Sequence, residues 1–155
     1  MNKLLNSYAK NKVKLYQNGG VGYVSRSSVK MKLEWVDSYK VYIPPLGSGS
    51  DVFPHTILGK PFLGEPNSAC TETYLIARIC QSQTEAENVV TYLKTKFLRF
   101  LVLLNKPTQH ATSKVYTYVP EQDFSVAWTD EKLFEKYGIN KDEQDFIDSL
   151  IRPME

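Results

Sequence analysis

Apolar and polar positions divide the chain into short alternating runs, one long helical run and an acidic helical end. In "EWVDSYKVYIPP" (34–45), Tyr39, Val41 and Ile43 alternate with Lys40 and Tyr42, and Pro44-Pro45 ends the run. That period of two predicts a strand stopped by proline. "VGYVS" (21–25) is a shorter strand candidate, and "CTETYLIARIC" (70–80), β-branched and apolar at its centre, is the strongest. "ILGKPFLGEP" (57–66) reads as an edge strand or turn broken by Pro and Gly.

The period changes at Ser82. Ser82 with Glu85 has the spacing of a capping box, and Val89, Leu93, Phe97, Phe100 and Leu104 recur at helical intervals. The pattern predicts one helix from Gln83 to about Leu104, with Asn88, Tyr92, Thr95 or Lys96, and Arg99 as a polar stripe. Its last turns are apolar nearly all round, which places them inside the domain, and Pro107 forbids continuation. "KVYTYVP" (114–120) then reads as a strand. Thr129 and Asn140 stand as N-caps before two short acidic helices, "DEKLFEKY" and "KDEQDFIDSLI".

Strands on both sides of one long helix predict a mixed α/β (α+β) fold of two layers. Its expected parts are a mixed sheet, one long buried helix and two short C-terminal helices. The first 18 residues read as a basic, weakly helical arm ended by Gly19-Gly20, "LGSGSDVFPHT" (46–56) as a Gly/Ser loop, and 121–155 as an acidic helical tail.

Composition sharpens this picture in three places. With 155 residues, 42% apolar and 23% charged, the chain is a single domain able to bury its own core. No run approaches the ~18 apolar residues of a membrane span, and the basic N-terminus lacks the uninterrupted apolar core of a secretory signal. Cys70 and Cys80 lie at opposite ends of one strand-like run, roughly 30 Å apart when extended, too far for a disulfide. Two free thiols point to a reducing interior and hence to the cytoplasm. Two histidines, neither at ligand spacing, argue against a metal site.

The net charge of +2 conceals a division. Residues 1–120 hold 15 Lys/Arg against 7 Asp/Glu, whereas 121–155 hold 4 against 10. A basic body with an acidic end is the distribution of a polyanion-binding surface.

Self-contained catalysis finds little support. "PLGSGSDV" follows a strand but lacks a third glycine, a P-loop lysine and a following helix. Pro120-Glu121 with Asp130 and Lys132 superficially matches the acidic pair and lysine of metal-dependent nucleases, but Asp130 and Lys132 fall in the first turn of a helix announced by Thr129. No Gly-x-Ser-x-Gly elbow occurs, and His55 and His110 both sit in loops. No catalytic residue is assigned.

Nucleic-acid chemistry is where the positive signals collect. Arg26 and Lys30 follow the first strand candidate, Lys40 and Lys60 flank the Gly/Ser loop, and Lys96 and Arg99 lie on the polar side of the long helix. Lys106, Thr108, Gln109, Ser113 and Lys114 fill the polar loop "NKPTQHATSKVY" (105–116). Lys and Arg serve phosphates as charges, Ser and Thr hydroxyls serve phosphates or base edges, and Gln can pair in bidentate fashion with adenine. These eleven residues are the expected DNA contacts; eight lie on three loops, 25–32, 46–60 and 105–114, and Lys40, Lys96 and Arg99 lie on the sheet and helix expected to hold them.

"SACTETYLIARICQSQTEAENVVTYLKTKFLRFLVLLNKPTQHATSKVYTYVPEQDF", followed by "WTDEKLFEKYGINKDEQDFIDSLIRPM", resembles the C-terminal end of bacterial restriction–modification proteins. The likeness is to the large single-chain adenine-specific DNA methyltransferases, some fused to a nuclease, and runs from about Gly19 to Met154. The resemblance implies a target-recognition portion that binds double-stranded DNA. Methyl transfer to adenine N6, with S-adenosylmethionine as cofactor, would belong to a catalytic domain of the parent chain. "IPPL" (43–46) supplies neither the amide nor the aromatic platform of a base-flipping site, so the catalytic motif is not in this segment. The chain is then expected to be the C-terminal part of a larger protein. The alternative is a protein-interaction or assembly module of the same enzyme, with Trp128, Phe134, Tyr137 and Phe146 of the acidic end as its docking face.

Overall fold

The computed structural model describes residues 11–30, 32–46, 52–105 and 113–155, the side chains of Ser113 and Lys114 excepted. Strand β1 (Lys12–Gln17) and strand β2 (Gly20–Ser25) form an antiparallel hairpin, paired from Lys12↔Ser25 to Gln17↔Gly20. The second half of the expected helical arm is therefore a strand. Asn18-Gly19 makes the two-residue connection, a pair that favours hairpins, and Gly19 has φ +89°, where a side chain would be strained. Val13 is fully buried while Lys12 is exposed, so the strand alternates once its register is set.

The helix α1 (Leu33–Val36) precedes strand β3 (Tyr39–Ile43), which pairs antiparallel with strand β4 (Phe62–Gly64) on one side and strand β6 (Leu75–Cys80) on the other. Strand β5 (Ser68–Cys70) leaves that sheet and joins β1 in parallel. The run 70–80 is thus two strands of different sheets joined by a turn, with Tyr74 N–H donating to Thr71 O. Both cysteines are free thiols.

The two sheets pack face to face through the rings of Tyr16, Tyr42 and Phe62, whose centroids lie 4.9 to 5.4 Å apart. Central strand β3 consequently buries both of its faces. Lys40 and Tyr42 point toward the first sheet, and Val41 and Ile43 toward the helices.

The expected long helix is two helices, α2 (Gln83–Lys94) and α3 (Lys96–Leu104), separated by Thr95 in an extended conformation. Ser82 Oγ accepts from Glu85 N–H as the capping pattern predicts, while the Glu85 carboxylate accepts from Gln81 N–H instead of completing the box at Ser82. Val89, Leu93, Phe97, Leu98 and Val102 enter one core with Val41, Ile43, Leu58 and Val115. Leu104 ends α3 in solvent.

The strand expected at 114–120 is a short 3-10 turn over Ser113–Tyr116. Val115 is buried and Val119 packs on the same core four residues later. The acidic end forms α4 (Asp130–Lys136) and α5 (Lys141–Leu150), capped by Thr129 and Asn140, and Asn140 with Glu143 makes a full capping box. The class is mixed α and β, with two small sheets and five α-helices among the described residues. No helix among the described residues is long and apolar enough to cross a membrane.

Candidate nucleic-acid interface

The polar stripe of the helical region turns out to face inward. Asn88 Nδ2 donates to Phe124 O at 2.9 Å, Tyr92 Oη donates to Pro120 O at 2.7 Å, and Thr95 Oγ1 donates to Tyr92 O while accepting from Leu98 N–H. These bonds tie the irregular segment 120–128 to α2. A row of polar side chains at helical spacing marks one face; it does not say whether that face meets water or buried backbone.

Arg99 is the clearest case. Its side chain is fully buried, and the guanidinium donates to Thr95 O at 3.2 Å, Lys94 O at 3.0 Å and Thr56 O at 3.3 Å. Two of those carbonyls belong to the open C-terminal end of α2, where a cation is favoured. Burial holds its pKa down to about 10, partly offset by the charge of Asp130. Arg99 therefore cannot reach a duplex. It acts on the expected loop 46–60 from within, by gripping Thr56.

That grip is one of several on the loop's end. Ile57 has φ +72°, a conformation disfavoured for a β-branched residue, and Leu58 N–H donates back to Thr56 O at 2.9 Å in a tight γ-turn. His55 N–H donates to Leu150 O at 2.7 Å, and Arg152 N–H donates to His55 O at 2.9 Å. Two of the three expected loops are thus rooted on α3: one is clamped by Arg99, and the other begins where α3 ends. The third, 25–32, is rooted elsewhere, with Arg26 N–H on Asn11 O.

Lys40 is also interior. It is 1% exposed, and its ammonium donates to Trp35 O and Val36 O, both at 2.8 Å, closing the C-terminal end of α1. Burial pulls its pKa down to about 8. Arg26 is half-exposed and forms a bidentate pair with Asp37, with Nη1 to Oδ1 at 2.9 Å. Lys96 Nζ sits 3.1 Å from Asp148, linking α3 to α5.

Lys30 and Lys60 differ from these four. Both side chains are exposed, and neither is ion-paired among the described residues. Lys32, near Lys30 in the same loop, lies 4.6 Å over the ring of Trp35. Lys106, Thr108 and Gln109 lie outside the described residues. Ser113 and Lys114 are described only as backbone, in the 3-10 turn.

The acidic end is mostly internal docking. Phe134 is buried, Trp128 packs on Tyr92, and Tyr137 stacks on Phe97 at 5.1 Å. Lys136 Nζ lies over both Trp128 and Tyr137 and donates to Gln122 Oε1 at 2.6 Å. Phe146, more than half exposed, remains at the surface against Phe100.

Sequence reasoning did not single out Arg78. It is paired with Glu85 and Glu121, and its guanidinium lies 4.9 Å from the ring centre of Phe124. It faces the helices because Ala77 is an extra residue in β6: Val41 pairs with Arg78, but Tyr42 pairs with Ile76. A bulge of this kind leaves no mark in the apolar pattern. No family model matches this chain, and comparison with curated proteins and with solved structures finds no significant match.

Proposed function

We propose that this chain recognises double-stranded DNA as the specificity portion of a restriction–modification adenine-specific methyltransferase. Transfer to adenine N6 would be performed by a catalytic domain that uses S-adenosylmethionine, and none of that step falls to residues of this chain. The observation that carries the reading is the pair Lys30 and Lys60: exposed cations, unpaired among the described residues, on two of the three loops that the sequence marks as basic. Such side chains can exchange condensed counterions for phosphate contacts at little cost in buried structure. The charge division supports the same reading, since the acidic residues gather in 121–155.

In this reading the cations already engaged within the fold have a supporting role. Arg99 holds the base of the loop 46–60, Lys40 closes α1, and Arg26 fixes the start of the loop 25–32 to Asp37. Titration of the full 155-residue chain with a duplex at two salt concentrations tests the proposal. Affinity should fall steeply as salt rises; binding indifferent to salt, or absent at low salt, would overturn it.

The assembly-module reading is favoured by one feature, the exposed ring of Phe146 on α5. Replacing Phe146 with Ser would then weaken association with the catalytic domain and leave DNA affinity unchanged.

A further inference from the structure

An apolar hollow lies away from the basic loops. It is a cavity of about 290 Å³ between β6, the helices α2 and α3, and the segment 116–124. Its walls are mainly Leu75, Val89, Leu93, Leu98, Val119 and Phe124. Two features of the chain make it. The Ala77 bulge puts Leu75 and Arg78 on the same face of β6, although strict alternation would send residues three apart to opposite faces. The hydrogen bonds from Asn88 to Phe124 O and from Tyr92 to Pro120 O hold the 120–124 segment off the sheet as a wall.

Beside this cavity runs a more open cleft of about 510 Å³, and the two share Arg78 and Phe124 as their common partition. The cleft is polar, lined by Ser82, Thr84, Glu85, Gln122, Asp123 and Ser125. Its charge is decided by few groups. Arg78 is already engaged by Glu85 at 3.2 Å and Glu121 at 2.6 Å, and Asp123 adds a further carboxylate that accepts from Ser125 N–H at 2.9 Å. Lys136 Nζ donates to Gln122 Oε1 at 2.6 Å beside them, so two cations stand against three carboxylates and the partition stays net negative. An anion brought there would meet Glu121 and Asp123, while Arg78 and Lys136 are already engaged.

An apolar hollow near the lower size limit of small-molecule sites, opening onto a negatively charged polar cleft, is complementary to one kind of ligand. We propose that this is a binding site for a small aromatic amine, with the ring among Leu75, Leu93 and Phe124 and the ammonium group at the partition, between Glu121 of the cavity and Asp123 of the cleft. The site is independent of the DNA reading, because none of its residues lies on the three basic loops. The ring gains by leaving water, and the ammonium gains a carboxylate that Arg78 only partly neutralises.

The test uses the ¹⁵N-labelled full chain at neutral pH, titrated with phenethylamine and separately with 3-phenylpropionate, which carries the same ring on a chain ending in the opposite charge. Phenethylamine should move the amide resonances of 75–78 and 116–124 saturably and bind at least about tenfold more tightly than the carboxylate. Leu75→Trp, which fills the cavity, should abolish those shifts. Glu121→Gln, a change at an exposed carboxylate, should weaken the amine severalfold and bring the carboxylate closer to it, and it keeps the test intact if the Leu75 variant does not fold. Shifts scattered over the surface, equal or tighter binding of the carboxylate, or unchanged binding to Leu75→Trp would overturn the proposal.

Discussion

Arg99 and Asp130 close the break between α2 and α3 from opposite sides. Arg99 donates to Lys94 O and Thr95 O at the end of α2, while the Asp130 carboxylate accepts from Lys96 N–H at 3.2 Å and Phe97 N–H at 2.9 Å at the start of α3. Thr95 completes the junction by accepting from Leu98 N–H. A helix end buried without partners would cost several unmade hydrogen bonds; here the exposed groups are met by a cation at the carbonyl end and an anion at the amide end. Asp130 is itself in the first turn of α4, so the break and the docking of the acidic end are one arrangement.

Removing the cation should therefore unfold the chain more readily. Arg99→Met removes the side-chain donor from Lys94 O, Thr95 O and Thr56 O, of which the last two keep a backbone donor, and should lower stability by about 2 kcal/mol in urea denaturation of the full chain. Arg99→Lys should recover only part of this, since an ammonium group cannot span carbonyls arranged for a planar fork. A loss within about 0.5 kcal/mol, as for an ordinary surface change, would contradict the assignment.

Removing the anion is the complementary experiment. Asp130→Ala strips the acceptor from two amides of α3 and should cost about 1 kcal/mol, the range of a lost N-cap. Combined with Arg99→Met, the loss should differ from the sum of the two, because both act on one junction. Strict additivity would mean that the two ends are held independently.

Lys40 makes stability depend on pH in an unusual direction. Burial lowers its pKa to about 8 in the folded chain, against an ordinary 10.5. Between those values the unfolded chain binds more protons than the folded one, so stability rises with pH. The gain should reach ~2 kcal/mol by about pH 9.5. Burial raises the pKa of Tyr42, Tyr92 and Tyr116, which acts in the opposite sense above about pH 10, so the informative quantity is wild type minus Lys40→Met. That difference should grow with pH; parallel profiles would show that Lys40 keeps its proton in the folded chain.

What could be read in the chain beforehand follows from how local each signal is. Ser82, Thr129 and Asn140 cap their helices as expected, because an N-cap bonds an amide two or three residues away. The hairpin at Asn18-Gly19 is equally local, but a run of lysines such as precedes it fits an exposed strand as well as a helical arm. Thr95 gave no warning of a break, since threonine is tolerated within helices and its partners Arg99 and Asp130 act through the fold. The same limit explains the expected site. Lys40 and Arg99 carry the right charge for phosphate, but whether a cation meets water or carbonyls is set by packing between distant segments.

The central claim, that exposed cations of the basic loops hold a DNA duplex, is tested most directly by charge reversal at Lys30 and Lys60, exposed and unpaired among the described residues. Lys30→Glu and Lys60→Glu, singly and together, should leave the unfolding midpoint unchanged and weaken duplex binding across all sequences. Each should also make the plot of log affinity against log salt shallower by about one unit. Unchanged affinity and salt slope in a folded double variant would contradict the account.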